Sequence, residues 1–344
     1  MLGFRSRALL VVVGGFVWLA GGCGGGSKTP STPGGDPGTP ATPGSPSAGG
    51  VTLDEDLKGR RVFPQDNWWN LDISGAPKDT GSDAYIERMS SARMHPDFGP
   101  HPYGIPYVVV SGDQALRQVD FVEWPEESDA GAPGRPTGYP IPDEAISEEG
   151  YVEGGVAGGG SDGDRHVLVI DRDRWLLFET GATQWSSGRG RWEANCGAVF
   201  DLSSNARREE GFTSADAAGL AIFPGLVRYD EVYGPDEITH AFRVTVSNTN
   251  GQVWPASHTA GSTSGALPMG ARLRLKNDVV VSGPPEIQKI FRAMKKYGLI
   301  VADNGSNMYV SGTMDARWDN DVLNPAFHGL HASDFEVVEL GWKP

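Results

Sequence analysis

Residues 163–179, GDRHVLVIDRDRWLLFE, constrain the fold more than any other stretch. Two apolar runs, 167–170 and 175–178, flank Asp171-Arg-Asp-Arg174, a pattern that reads as a β-hairpin. The shortest closure puts Arg172 and Asp173 at the loop tip. In that register Ile170 faces Trp175, Leu168 faces Leu177, and His166 stands opposite Glu179 with Cβ atoms roughly 5 Å apart. Because strand side chains alternate, Leu168, Ile170, Trp175 and Leu177 share one face, and Val167, Val169, Leu176 and Phe178 share the other. Both faces are apolar, so the hairpin is expected in the interior, covered on both sides. The pair at its open end is either a structural cross-strand contact worth under ~1 kcal/mol, or a carboxylate that orients and charges an imidazole for acid/base work or metal binding.

At the N-terminus, Arg5 and Arg7 precede an apolar run, residues 8–19, which is too short to span a bilayer and has the length of a signal-peptide core. It ends in Leu19-Ala-Gly-Gly-Cys23, which resembles the lipobox of bacterial lipoproteins, with Ala20 where Leu is usual. The resemblance covers residues 1–23. It implies a signal peptide over residues 1–22, lipidation at Cys23, and attachment through that lipid to a membrane of the cell envelope, outside the cytoplasm. Residues 24–50 are Gly, Pro, Ser and Thr apart from Lys28, Asp36, Ala41 and Ala48. Such a segment has nothing to bury and reads, with Cys23, as a solvated tether over residues 23–50.

The remaining residues, 51–344, are enough for one large core and contain no second low-complexity linker, so a single β-rich globular domain is expected. Of 29 basic and 44 acidic residues only Arg5, Arg7, Lys28 and Asp36 precede Val51, which leaves 26 and 43 and a net charge of −17. That field disfavours nucleic acid and acidic glycans, and leaves neutral glycans, peptides and cations. Cys196 has no intramolecular partner once Cys23 carries lipid, and its apolar setting suits a small buried hydrophobe.

Strands are expected at residues 107–110, 119–124, 192–202, 221–229, 240–246, 271–276, 299–302, 308–312 and 334–340, with one amphipathic helix near the C-terminus over residues 286–297. The fold class is therefore mainly β, an antiparallel sandwich or barrel-like sheet. Arg272 and Arg274 alternate with inward Leu273 and Leu275 and read as outward-facing. Residues 303–306, Asp-Asn-Gly-Ser, read as a hairpin turn. The long Gly-, Pro- and acid-rich stretch 125–163 reads as a lid or binding loop; its carboxylates leave calcium open as a ligand, although no EF-hand spacing is present, and the sequence requires no cofactor.

Several residues carry candidate chemistry. His240 shares a strand face with Phe242, Val244 and Val246, and His258 shares a side with Trp254; if these segments are neighbours, two imidazoles converge near His166 and Glu179. Asp303, at a strand end, is a general-acid candidate that the turn itself also explains, and Tyr309 follows it. Asp216 is explained by a short turn but is also a catalytic candidate. Trp68, Trp69, Trp254 and Trp318 are either core residues or stacking platforms for a sugar. Four segments, Trp69-Asn70, Gly163-Asp-Arg-His166, Thr213-Ser-Ala-Asp-Ala-Ala-Gly-Leu220 and Ala302-Asp-Asn-Gly-Ser306, resemble segments of secreted bacterial proteins over most of residues 60–340. The resemblance implies no activity.

Three functions fit. A carbohydrate-active enzyme on an extracellular glycan needs two carboxylates about 5 to 10 Å apart if a hydrolase, or a base such as His240 or Tyr309 if a lyase. A non-catalytic surface protein binding a glycan or another partner needs only exposure. A metal-dependent hydrolase would use His166, His240 and His258, without an HExxH spacing.

Overall fold

The computed structural model describes residues 50–131 and 136–344. Residues 1–49, with the stretches read as a signal peptide and a tether and with Cys23, lie outside the described residues. Sixteen strands, numbered in chain order, make the described part mainly β, in sandwich-like sheets that do not close into a barrel.

The hairpin forms from β5 (Val167–Asp171) and β6 (Leu176–Gly181), and its faces are those the alternation sets. Leu168, Ile170, Trp175 and Leu177 enter the main core; Val167, Val169 and Phe178 enter a second one, with Leu176 packed against it. The pairing, however, is shifted by two residues, so that Ile170 faces Leu177 and Leu168 faces Glu179. The cause is local. The Asp171 carboxylate accepts hydrogen bonds from the backbone N–H of Asp173 (3.1 Å) and Arg174 (2.9 Å), and Trp175 takes a left-handed φ of 55°. The loop therefore closes over four residues, 172–175. A shift of two preserves both faces but takes His166 away from Glu179.

Around the hairpin, β1 (Thr52–Leu53), β3 (Tyr107–Val110) and β9 (Cys196–Asp201) complete a five-stranded sheet in the order β1-β3-β5-β6-β9. Its outer face is covered by β4 (Val119–Phe121), β7 (Gln184–Ser186) and β8 (Arg191–Ala194), which pair as a small sheet, and by the long acidic stretch, whose Tyr139, Ile141, Ala145, Tyr151 and Val152 are buried. The stretch read as a lid is thus in part a core cover. Residues 192–202, read as one strand, divide between β8 and β9, and residues 221–229 form a 3₁₀ turn over Phe223–Gly225, a single bridge from Val227 to Gly312 and the start of a short helix at Tyr229, not a strand.

The second sheet has six strands: β16 (Phe335–Val337), β13 (Arg272–Leu275), β14 (Leu299–Asn304), β10 (Phe242–Val246), β15 (Tyr309–Met314) and β2 (His95–Gly99), in that order. The remaining strands, β11 (Thr249–Gln252) and β12 (Leu267–Met269), pair with each other. β10 is parallel to β14 and antiparallel to β15, and lies between them. Residues 303–306 are therefore not a hairpin turn: the chain leaves β14, crosses the end of β10 and returns on its far side.

One face of this sheet is apolar. Phe98 packs on Phe327 of the helix Asn320–His328, and Phe327 on Phe291 of the helix Pro285–Lys296. The latter helix buries Ile287, Ile290, Phe291 and Met294, and Gly298 (φ 77°) ends it, as its periodicity predicts. The other face carries polar side chains in rows. Arg243, Ser311 and Asp97 form one row across β10, β15 and β2; Asp303, Thr245, Tyr309 and His95 form the next, starting from β14. Arg272 and Arg274, read as outward-facing, are also buried. Arg274 bonds Glu336 and the carbonyls of Ile73, Ser74 and Ala76, while Arg272 donates to the Trp68 carbonyl.

Trp69 is fully buried and lies so close to Gly225 that a Cβ there would stand 2.6 Å from its ring. Removing the ring leaves a large cavity, so Trp69→Ala is expected to cost about 3–5 kcal/mol, and Gly225→Ala about 1–3 kcal/mol through overpacking. Urea unfolding followed by fluorescence measures both.

Candidate functional site

The site begins with an arginine on a central strand. Arg243 projects from β10 onto the polar face of the six-stranded sheet, and its side chain is only 5% exposed. A buried guanidinium is costly unless it is paired and hydrogen-bonded. Asp216, itself 0% exposed, binds it through both oxygens, at 2.8 Å to Nε and 2.9 Å to Nη2. Nη1 donates to Ser311 Oγ at 2.7 Å, and Nη2 also donates to Asp303 Oδ2 at 3.0 Å.

Asp216 is held by its own loop. Ser214 Oγ donates to the Leu220 carbonyl and accepts from the Asp216 N–H, so residues 213–220 form a tight polar turn with Asp216 at its apex. Two histidines clasp this turn: His166 Nε2 lies 3.1 Å from the Ala215 carbonyl, and His258 Nδ1 lies 2.7 Å from that of Ala217. His166 Nδ1 is 2.6 Å from Glu153 Oε2, and the backbone N–H of His166 donates to the same oxygen. Glu179 holds the chain just past the turn, its two oxygens accepting from the Ile222 N–H at 3.0 and 2.9 Å and one of them from the Phe223 N–H at 2.9 Å. Asp97 and Asp164 are exposed at the rim, whereas Asp303 and Glu153 are partly exposed.

The charges set one another. Burial opposes a charged His166, yet the Glu153 carboxylate and its hydrogen bond push the imidazole up to about 9. Burial would also raise Glu153, but the charge and hydrogen bonds of His166 leave it below the ordinary carboxylate range. The two shifts agree on an imidazolium–carboxylate pair. For Asp303, burial outweighs the attraction of Arg243, and Asp216 and Asp164 add repulsion, so its carboxyl rises to about 6. Burial likewise lifts Glu179 to about 7 against its backbone hydrogen bonds. Asp97 is raised by burial of its inner part and by the charges of Glu153 and Asp164, against Arg243. One cation therefore faces carboxyl groups whose proton affinities are spread apart, the arrangement that acid/base chemistry requires.

Of the candidates read from sequence, His166, Glu179, His258 and Asp303 gather around the Asp216 turn and Arg243. Tyr309 lies in the Asp303 row, with its ring 4.4 Å from that of His95, whose Nδ1 is 3.1 Å from His328 Nε2. His240 does not join them. It precedes β10, bonds Glu231 at 2.8 Å and belongs to a separate buried cluster with Arg228. Trp68, Trp69 and Trp318 are core residues, not stacking platforms; Trp254 is partly buried, edge-on to Trp68 under Lys343. Cys196 is buried, and its thiol is pushed up to about 12. No group of three His, Cys, Asp or Glu side chains among the described residues is placed to hold a metal ion.

Arg243, Glu153, Asp97 and Asp164 escaped the sequence reading. Arg243 alternates with apolar neighbours like any solvent-facing residue, and Glu153 lies in a Gly-rich stretch without periodicity. The usable signal was the set of three short segments around His166, Asp216 and Asp303, all of which meet here.

The imidazolium pair predicts a pH dependence. Because the folded chain holds the His166 proton to about pH 9 against an ordinary 6.5, the stabilisation is complete below pH 6.5 and lost between 6.5 and 9. The loss is expected to be about 3 kcal/mol. Urea midpoints at pH 6.5 and 9 measure it, and Glu153→Gln should flatten the slope. Asp216→Asn, which strands a buried guanidinium, is expected to cost about 3–5 kcal/mol at any pH between 6 and 8.

Compared with models of protein families, with curated proteins and with solved structures, the chain matches none.

Proposed function

We propose that this chain is an envelope-displayed carbohydrate-active hydrolase that acts on a neutral extracellular glycan, with Asp303 as its general acid. The observation that carries the reading is Asp303 itself: a partly exposed carboxyl raised to about 6, bonded to a guanidinium that Asp216 fixes in place. Protonated, it can give its proton to a glycosidic oxygen. Once ionised, it is held by Arg243. Asp164, exposed and within electrostatic reach of Asp303, supplies the second carboxylate that glycoside hydrolysis needs to activate water or attack the sugar. The Glu153–His166 pair and His258 act on the turn and serve as positioning residues. The acidic globular part favours a neutral substrate, and the lipobox-like leader with its tether favours display outside the cytoplasm.

Reducing-end release from a panel of neutral polysaccharides, with product analysis on any hit, tests the reading. Asp303→Asn is expected to lower turnover by about 10²–10⁴-fold, and kcat/KM should fall as pH rises through about 6, where the acid loses its proton. His240→Ala, remote from Arg243, should leave the pH profile in place. Glycan binding without products, unchanged in Asp303→Asn, would instead make the chain a non-catalytic glycan-binding protein.

A further inference from the structure

A hollow lies at the end of β10, formed by groups that the Arg243 site does not use. Its volume is about 250 Å³, with Met89, Leu267 and Val246 as buried apolar lining and Tyr85, Arg88 and Asn307 among its remaining walls. That size suits a single ring or a short chain, below the roughly 300–1,000 Å³ of pockets for drug-sized ligands.

Two of the polar groups there, Arg88 and Asn307, offer free donors, whereas Asn248 and Ser247 in the same wall bond each other through Asn248 Nδ2 and Ser247 Oγ at 3.1 Å. Asn307 Oδ1 accepts from the Ser247 N–H at 2.8 Å, which fixes the amide and leaves its Nδ2 uncommitted among the described residues. Arg88 is exposed and forms neither an ion pair nor a side-chain hydrogen bond among the described residues. This is notable in a globular part where acidic residues outnumber basic ones by 43 to 26. Its Nη1 would lie 3.2 Å from a Cβ at Gly265 (φ 75°), so the absence of a side chain there lets the guanidinium rest near the backbone at the hollow. A planar fork of N–H donors with an amide donor nearby matches a carboxylate, and the lining of Met89, Leu267 and Val246 matches the body that carries it.

We propose that this hollow binds a small organic carboxylate with a body of about one ring, its carboxylate on Arg88 and Asn307. Such an acid can be a sugar acid or an apolar acid. Titration of the purified full chain with glucuronate, glucose and benzoate, read by calorimetry or ligand-observed NMR, distinguishes them. Saturable binding of glucuronate or benzoate but not of glucose is expected, and the tighter acid identifies the body. Arg88→Gln should weaken it at least tenfold, Arg88→Lys should restore part of it, and Asn307→Ala should weaken it less. Because Arg88 is exposed, unfolding midpoints of its variants should match the parent. No saturable binding of either acid up to about 10 mM, a regime weaker than about −3 kcal/mol, or binding indifferent to Arg88→Gln, overturns the proposal.

Discussion

Burying Arg243 is the constraint from which the site follows. Removing an ion of that size from water costs several kcal/mol even after relaxation, and the cost is offset only by partners of good geometry. Those partners come from segments 27, 60 and 68 residues away in the chain: Asp216, Asp303 and Ser311. Folding the six-stranded sheet with Arg243 inside therefore requires the 213–220 turn, the end of β14 and the middle of β15 to meet above β10. The turn is also gripped by His166, which immediately precedes β5 of the five-stranded sheet, so the turn that pairs Arg243 touches both halves of the fold.

This arrangement separates carboxyl groups of one chemical kind. Glu153 touches a cation directly and stays ionised. Glu179 has only backbone donors and faces Asp216, and it is raised. Asp303 is raised because burial and the charges of Asp216 and Asp164 outweigh the attraction of Arg243, whose guanidinium gives Asp216 two of its hydrogen bonds. Proximity to positive charge thus has graded consequences, set by how far burial and neighbouring carboxylates outweigh it. The crossing of the chain over β10 is what puts Asp303 second in line, on the strand beside Arg243 and at the edge of the solvent.

What could be read from the sequence was what local periodicity decides, period 2 in strands and 3.6 in the helix. The faces of the hairpin, the core role of Phe242, Val244, Leu273 and Leu275, and the amphipathic helix all follow from local pattern. Register did not follow, because an Asx turn at Asp171 and a left-handed Trp175 lengthened the loop. Nor did strand order, since Asp303-Asn-Gly-Ser has the composition of a hairpin turn but here spans an intervening strand. Alternation also misplaced the arginines. A charged residue between apolar neighbours is normally solvated, and nothing local reveals that Asp216 or the carbonyls of Ile73 and Ala76 wait for Arg243 and Arg274.

Arg272 shows that the carboxylates around Arg243 exceed what burial alone demands. Both arginines align with Ile300 on the same sheet, and both are buried. Arg272 makes do with the Trp68 carbonyl, its Nε and Nη1 have no partner among the described residues, and burial pushes it down to about 9. The fold thus accommodates a guanidinium with a single acceptor. Arg243, two strands away, has two carboxylates and a hydroxyl in contact and feels the charge of Glu153 as well. If solvating this cation were the whole purpose, Asp303 would be redundant, since Asp216 and Ser311 already bond the guanidinium. The extra carboxyl lies at the solvent-facing side, partly exposed beside the exposed Asp164 and Asp97, and it is on this surplus that the proposed general-acid role rests.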